Sequence, residues 1–94
     1  MTDPNLGRDP RIAVSFPLGQ HRVQVHHEAD GGLSLRVDGC IRKRRGERGS
    51  AAWLWTNVEL PFEDHHLVEV RRRAGDEDRL DIRINGQPID PRLS

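Results

Sequence analysis

Apolar and polar residues alternate along most of the chain with a period of two, the spacing of a strand with one buried face. Ile12, Val14 and Phe16 share one side, and Pro17-Leu18-Gly19 breaks the run. Val23 and Val25 resume the alternation, with Arg22, Gln24 and His26 opposite. Glu28–Gly32 reads as a turn, since Asp and tandem Gly tolerate left-handed backbone angles. Leu33, Leu35 and Val37 return at the same period. Asp38-Gly39 is a strong hairpin signal, because both central residues of a type I′ turn need positive φ. "CIRKRR" then leaves the turn as a further strand. In "AAWLWTNVELPF" apolar residues fall on both sides: Trp53 and Trp55 on one, Leu54, Val58 and Leu60 on the other. Such a strand is either buried on both faces or packed on one and open to an interface on the other. Pro61 ends it. No window of 11 residues sustains helical spacing.

The pattern also repeats. "LSLRVDG" at Leu33–Gly39 and "LDIRING" at Leu80–Gly86 match position by position. His21, Val23 and Val25 correspond to His66, Val68 and Val70 at an offset of 45; Leu33, Leu35 and Val37 correspond to Leu80, Ile82 and Ile84 at an offset of 47. The two extra residues fall in the turn, where insertion is cheap; a one-residue slip inside a strand would turn its core side chains outward. A two-stranded hairpin alone is marginal in water, so two copies must share one core. The prediction is all-β: a small antiparallel β-sandwich built from two similar hairpin units, with one domain at 11–90, a disordered tail at 1–10 and a short C-terminal tail at 91–94. With 94 residues the core is thin, and self-association would cover an apolar face or sheet edge.

The run His21–His27, a Gly-bearing turn, then "LSLRVDG" with Arg and Lys soon after, resembles the domain of the Fas apoptotic inhibitory molecule family. "LDIRINGQPI" is similar to that family's closing strand. The match spans roughly Phe16 to Ile89. It departs where "CIRKRRGERGS" intervenes before Trp53, since the family's "VDG" strand runs directly into an aromatic-rich one. The resemblance implies a β-sandwich that works by binding proteins rather than by catalysis.

Charge narrows the partners. Fifteen basic residues, fourteen of them Arg, balance fifteen acidic ones. Nucleic-acid and anionic-membrane binders usually carry positive excess, so those classes lose ground. "RKRRGER" (Arg42–Arg48) and Arg71–Arg73 are local basic clusters which, beside Trp53 and Trp55, would suit a stacking platform for single-stranded nucleic acid. The acidic stretches Glu59–Glu69 and Asp76–Asp81 compensate them. The lone Cys40 forms no intrachain disulfide and suggests a reducing compartment. It follows a hairpin turn with no helix N-terminus to lower its pKa and with Asp38 close by, so an inert thiol is expected. "MTDPNLGRDPR" has no apolar leader segment, so the expectation is a soluble, cytoplasmic protein with no membrane contact.

No phosphate-loop, nucleophile-elbow or zinc-protease motif is present, so neither catalysis nor a cofactor is expected. A metal site would need His21 or His27 to meet His66, with Glu28, Glu63 or Asp64 completing it; the spacing fits no zinc signature and no metal is assigned. His65 and His66, preceded by Glu63 and Asp64, are candidates for a pH-sensitive patch. One Trp is expected in the core and one near an edge or interface. The reading is a non-enzymatic module binding a partner protein, or a second copy of itself as a homodimer, through sheet edges and Trp53, Trp55, Arg42, Arg44, Arg71 and Arg73. The alternative is a nucleic-acid-associated accessory protein using the Arg clusters.

Overall fold

Among the described residues eight strands follow one another without a helix: β1 (Ile12–Leu18), β2 (His21–His27), β3 (Leu33–Val37), β4 (Cys40–Arg45), β5 (Ala52–Leu60), β6 (Asp64–Arg72), β7 (Leu80–Ile84) and β8 (Gln87–Ile89). In this computed structural model, residues 11–47, 49–62, 64–75 and 79–89 are described. The expected tails at 1–10 and 91–94 lie outside them, as do Arg48 and Glu63. Each half of the chain makes one antiparallel sheet, in the orders β1-β2-β3-β4 and β5-β6-β7-β8.

The expected β-sandwich is therefore present, and the repeat extends further than the two matching hairpins. The hairpin β2–β3 corresponds to β6–β7, and each is flanked by one more strand on either side. Inward-pointing Phe16, Val23, Val25, Leu33, Leu35 and Val37 from one sheet meet Leu54, Val58, Val68, Val70 and Ile82 from the other in one core. The hairpins face each other rather than lying side by side.

Two sequence expectations need correction. Pro17 does not break the first strand: β1 runs to Leu18 with Pro17 opposite Arg22. Proline lacks a ladder N–H, but β1 is an edge strand and tolerates it. Nor does either Trp enter the core. β5 alternates cleanly, burying Ala52, Leu54, Thr56 and Val58 and turning Trp53 and Trp55 to solvent.

Glu47 and Ser50, in the passage from the first sheet to the second, are held by a buried cation. Arg72 ends β6 in phase with Val68 and Val70, so its side chain points inward and is 2% exposed. Its Nη1 donates to the Gly31 carbonyl at 2.8 Å, Nη2 to Glu47 at 2.8 Å and Nε to Ser50 at 3.2 Å. Three carbonyl dipoles thus solvate one guanidinium and tie β6 to both the β2–β3 turn and the crossover. Space here is tight. A Cβ on Gly32 would come within 2.6 Å of the Gly46 carbonyl, and one on Gly46 within 3.2 Å of Arg72 Nη2; Gly46 also has a φ of +89°.

Truncating Arg72 removes the donor that three backbone carbonyls share. Arg72→Ala is expected to destabilise the fold by about 3 kcal/mol, and Arg72→Lys to recover only part, because an ammonium lacks the planar fork. Urea denaturation measures both; an Ala variant within experimental error of wild type would show that the corner is held by other contacts.

Candidate functional site

The two sheets present different outer faces. On the first, polar groups satisfy one another. Arg36 Nη2 donates to Glu28 at 3.2 Å and its Nε to the Ser34 hydroxyl at 3.1 Å, while Arg44 lies 3.7 Å from Glu28 and 3.8 Å from Asp30. Hydrogen bonding from Ser34, then Arg36 and the nearby Arg44 charge, holds the Glu28 carboxyl below the usual carboxylate range against the opposing effect of burial. Arg44, one of the expected partner-binding residues, is thus engaged within its own sheet.

The second outer face is aromatic. Trp53 and Trp55, two apart on β5, sit with ring centroids 4.8 Å apart and planes tilted by 38°. Cations bracket the pair: Arg71 lies over Trp53 and Lys43, from β4 of the other sheet, over Trp55, each 5.0 Å from the ring centroid. Glu69 fixes one end, accepting from Trp53 Nε1 at 3.2 Å and lying 3.8 Å from Arg71. The cross-strand register explains the assembly. Trp53 is opposite Arg71, which is opposite Asp81; Trp55 is opposite Glu69, which is opposite Arg83. Outward positions therefore line up in two rows, each combining an indole with charges of both signs. The indoles remain 48% and 37% exposed. Beside Trp53 a depression of about 760 Å³ is lined by Ala51, Arg71, Arg73, Ala74, Asp81 and Arg83, among others.

Of the six expected partner-binding residues, Trp53, Trp55, Arg71 and Arg73 share this face. Arg42 and Arg44 lie on β4 of the other sheet. Lys43 went unnoticed in the sequence because a bulge in the β3–β4 pairing and the nearness of β4 to β5 decide its reach. Phe62 was also missed as an exposed group. It occupies the β5–β6 turn, 98% exposed, with a φ of +67° that bulky side chains rarely adopt. Cys40 is a free, exposed thiol.

The histidines take separate partners. Within the described residues no three His, Cys, Asp or Glu side chains gather as a metal cluster, and His21 and His66 are engaged apart. Each caps its own copy of the repeated turn. Asp38 and Asn85 both have a φ of +52°. Asp38 Oδ1 accepts from the Arg22 backbone N–H, and Asn85 Oδ1 from that of Leu67, both at 2.9 Å. The backbone N–H groups of Asp38 and Asn85 return the bond to the carbonyls of the same two residues, again at 2.9 Å.

The histidines then diverge. His21 Nδ1 meets the Asp38 carboxylate at 2.5 Å and Nε2 meets the Glu59 carbonyl at 3.0 Å. With Asp38 ionised both partners are acceptors, so the doubly protonated ring is the form that meets both contacts. The Asp38 bond raises the His21 pKa above its ordinary 6.5; the Glu59 carbonyl adds to this, while desolvation and Arg42 oppose it. The Asp38 carboxyl is held below its ordinary value by the Arg22 N–H and by His21. At His66, Nε2 donates to Asp64 at 2.9 Å and Nδ1 accepts from the Asn85 amide at 3.1 Å. Asn85 Oδ1 is already used by Leu67, which fixes the amide that way round. One neutral tautomer meets both contacts. His65 is exposed on the outer face, opposite Glu59.

Comparison with known proteins finds no matching family model, no similar curated protein and no similar solved structure. No helix among the described residues is long and apolar enough to cross a membrane.

The His21 contacts set a pH dependence of known sign. A raised folded pKa contributes stability that is complete below pH 6.5 and is lost as pH rises through the folded value. The lowered Asp38 contributes above its ordinary 3.8 and loses that contribution as pH falls through its folded value. The clasp is therefore strongest between those limits. Asp38→Asn reproduces the wiring of the second copy, in which a neutral His suffices. The melting-temperature advantage of wild type over this variant is expected to be greatest near pH 6 and to shrink above it. A difference that stays flat to pH 9 would remove the doubly protonated His21.

Proposed function

We propose that the protein is a non-enzymatic protein-interaction module whose binding surface is the outer face of the β5–β8 sheet, with Trp53, Trp55 and Arg71 as anchors. The supporting observation is the solvent-facing indole pair bracketed by Arg71 and Lys43. Trp and Arg dominate binding energy at protein interfaces, because they offer large contact area and directed hydrogen bonds at modest entropic cost. Here the rings are held by each other and by cations before any partner arrives, which lowers the cost of ordering them. The resemblance to the Fas apoptotic inhibitory molecule family points the same way. An exposed Cys40 fits a reducing, cytoplasmic setting.

A nucleic-acid reading has less support. A backbone groove needs positive charge of one sign along its length, whereas Glu69 and Asp81 alternate with Arg83 and Arg71 in the same two rows.

Tagged wild type and the Trp53→Ala/Trp55→Ala variant, incubated in native-host extract with and without nuclease, separate these readings. Both rings are outside the core, so the variant is expected to keep its β-type circular dichroism. Protein partners that survive nuclease are expected on wild type and to fall at least about tenfold on the variant, as expected when hot-spot residues are truncated. Equal capture by both proteins, or capture abolished by nuclease, would overturn the assignment.

A further inference from the structure

We infer that Asn85 is a site of intrinsic modification, where loss of the side-chain amide rewires the β7–β8 turn into the chemistry of its counterpart at Asp38. The turn leaves the reacting groups open to water. Asn85 is exposed at a φ of +52° and is followed by exposed Gly86 at +80°. A Cβ built on Gly86 would meet nothing within 4 Å. The glycine that suits this backbone conformation is therefore also the residue that leaves the peptide nitrogen unscreened. Asn57 is the contrast: it precedes the branched, buried Val58 within the β5–β6 ladder.

The chemistry needs only water. The Gly86 main-chain nitrogen bonds to Asn85 Cγ, the Cγ–Nδ2 bond breaks, and Nδ2 leaves as ammonia with the Gly86 proton. Water then opens the cyclic imide. Cleavage of the new N–Cγ bond restores the main chain with a carboxylate at position 85; cleavage of the original peptide bond leaves an isoaspartyl link, one carbon longer. His66 restrains the departure, because its Nδ1 accepts from Nδ2 at 3.1 Å, while Oδ1 is held by the Leu67 N–H at 2.9 Å.

The first half of the chain shows how the carboxylate fits. Asp38 has the same φ, is followed by Gly39 at +82°, and accepts from the Arg22 N–H at 2.9 Å. A carboxylate at position 85 keeps the Leu67 bond and turns its other oxygen to His66. That ring lies opposite Val58 on β5, and among the described residues Asp64 is the charged group bonded to it. After amide loss both ring nitrogens face carboxylates, and the protonated imidazole is the form that meets both, as at His21.

Peptide mass spectrometry of the folded full chain, aged at mildly alkaline pH, tests the site. The peptide carrying Asn85 is expected to gain the mass of amide-to-acid conversion, well ahead of the peptide carrying Asn57. His66→Phe keeps a ring but removes the acceptor, and is expected to convert about fivefold faster, the ratio for one lost hydrogen bond. Asn85→Asp stands in for the product. It is expected to keep the β-type circular dichroism of wild type, with His66 titrating at higher pH by NMR. Conversion at Asn85 no faster than at Asn57, or a His66→Phe rate equal to wild type, would overturn the restrained site. An Asn85→Asp variant that unfolds, or whose His66 titrates as in wild type, would overturn the rewiring.

Discussion

The fold turns on how one short chain closes two sheets over a thin core, and Arg72 is where that closure is fastened. The strands supply the apolar interior, and the carbonyls of Gly31, Glu47 and Ser50 converge on the buried Arg72 at one corner of the sandwich. A buried guanidinium needs acceptors. Three backbone carbonyls meet this one, which ends β6, at 2.8, 2.8 and 3.2 Å. The charge it brings would itself be costly to bury, and the same three dipoles offset that cost. Glycine at 32 and 46 follows from the same closeness, since side chains there would occupy the space the carbonyls and guanidinium use. With this corner fixed, β5 is delivered along the edge of the first sheet, which is why Lys43 can reach Trp55.

The repeat gives the two halves one backbone solution with two chemical outcomes. In both, an Asx residue at φ +52° receives and returns hydrogen bonds with the neighbouring strand, and a His packs against its side chain. Exchange of a carboxylate for an amide changes what the His must do. Beside Asp38 the imidazole has only acceptors to satisfy, which favours its protonated form, and it bridges the first sheet to Glu59 of the second. Beside Asn85 it faces one donor and one acceptor, and a neutral ring serves. A difference of one functional group thus accompanies a His that bridges the two sheets at one turn and a His that stays within its own sheet at the other.

Strand content, the antiparallel order and the paired hairpins were all legible, because period-two alternation and Asp-Gly or Asn-Gly turns report directly on backbone geometry. The inward set Val23, Val25, Leu35, Val68, Val70 and Ile82 follows from phase alone. Phase also contained the role of Arg72, which continues the buried alternation of β6, but its charge disguised it within "RRR". Other features have no local signature. Whether Trp53 and Trp55 face a core or solvent depends on which side of β5 the opposing sheet covers. Likewise, the nearness of Lys43 to Trp55 depends on how one sheet edge meets the other, and the His21–Glu59 contact joins residues 38 positions apart. Pairing between sheets, unlike pairing within a hairpin, leaves no periodic trace.

The unequal outer faces bear most directly on function. A small sandwich must keep both faces soluble, and the first does so with ion pairs that satisfy each other around Glu28. The second uses its cations differently, laying Arg71 and Lys43 across indole rings that would otherwise present bare apolar surface. Cation–π contacts keep the rings wetted and ordered without sealing them, since a planar partner edge or an apolar side chain can still approach the exposed portions. Maintaining two large aromatics in that state serves no packing purpose, because the core is complete without them. Their presence on one face sets it apart from the first, whose ion pairs gather around Glu28.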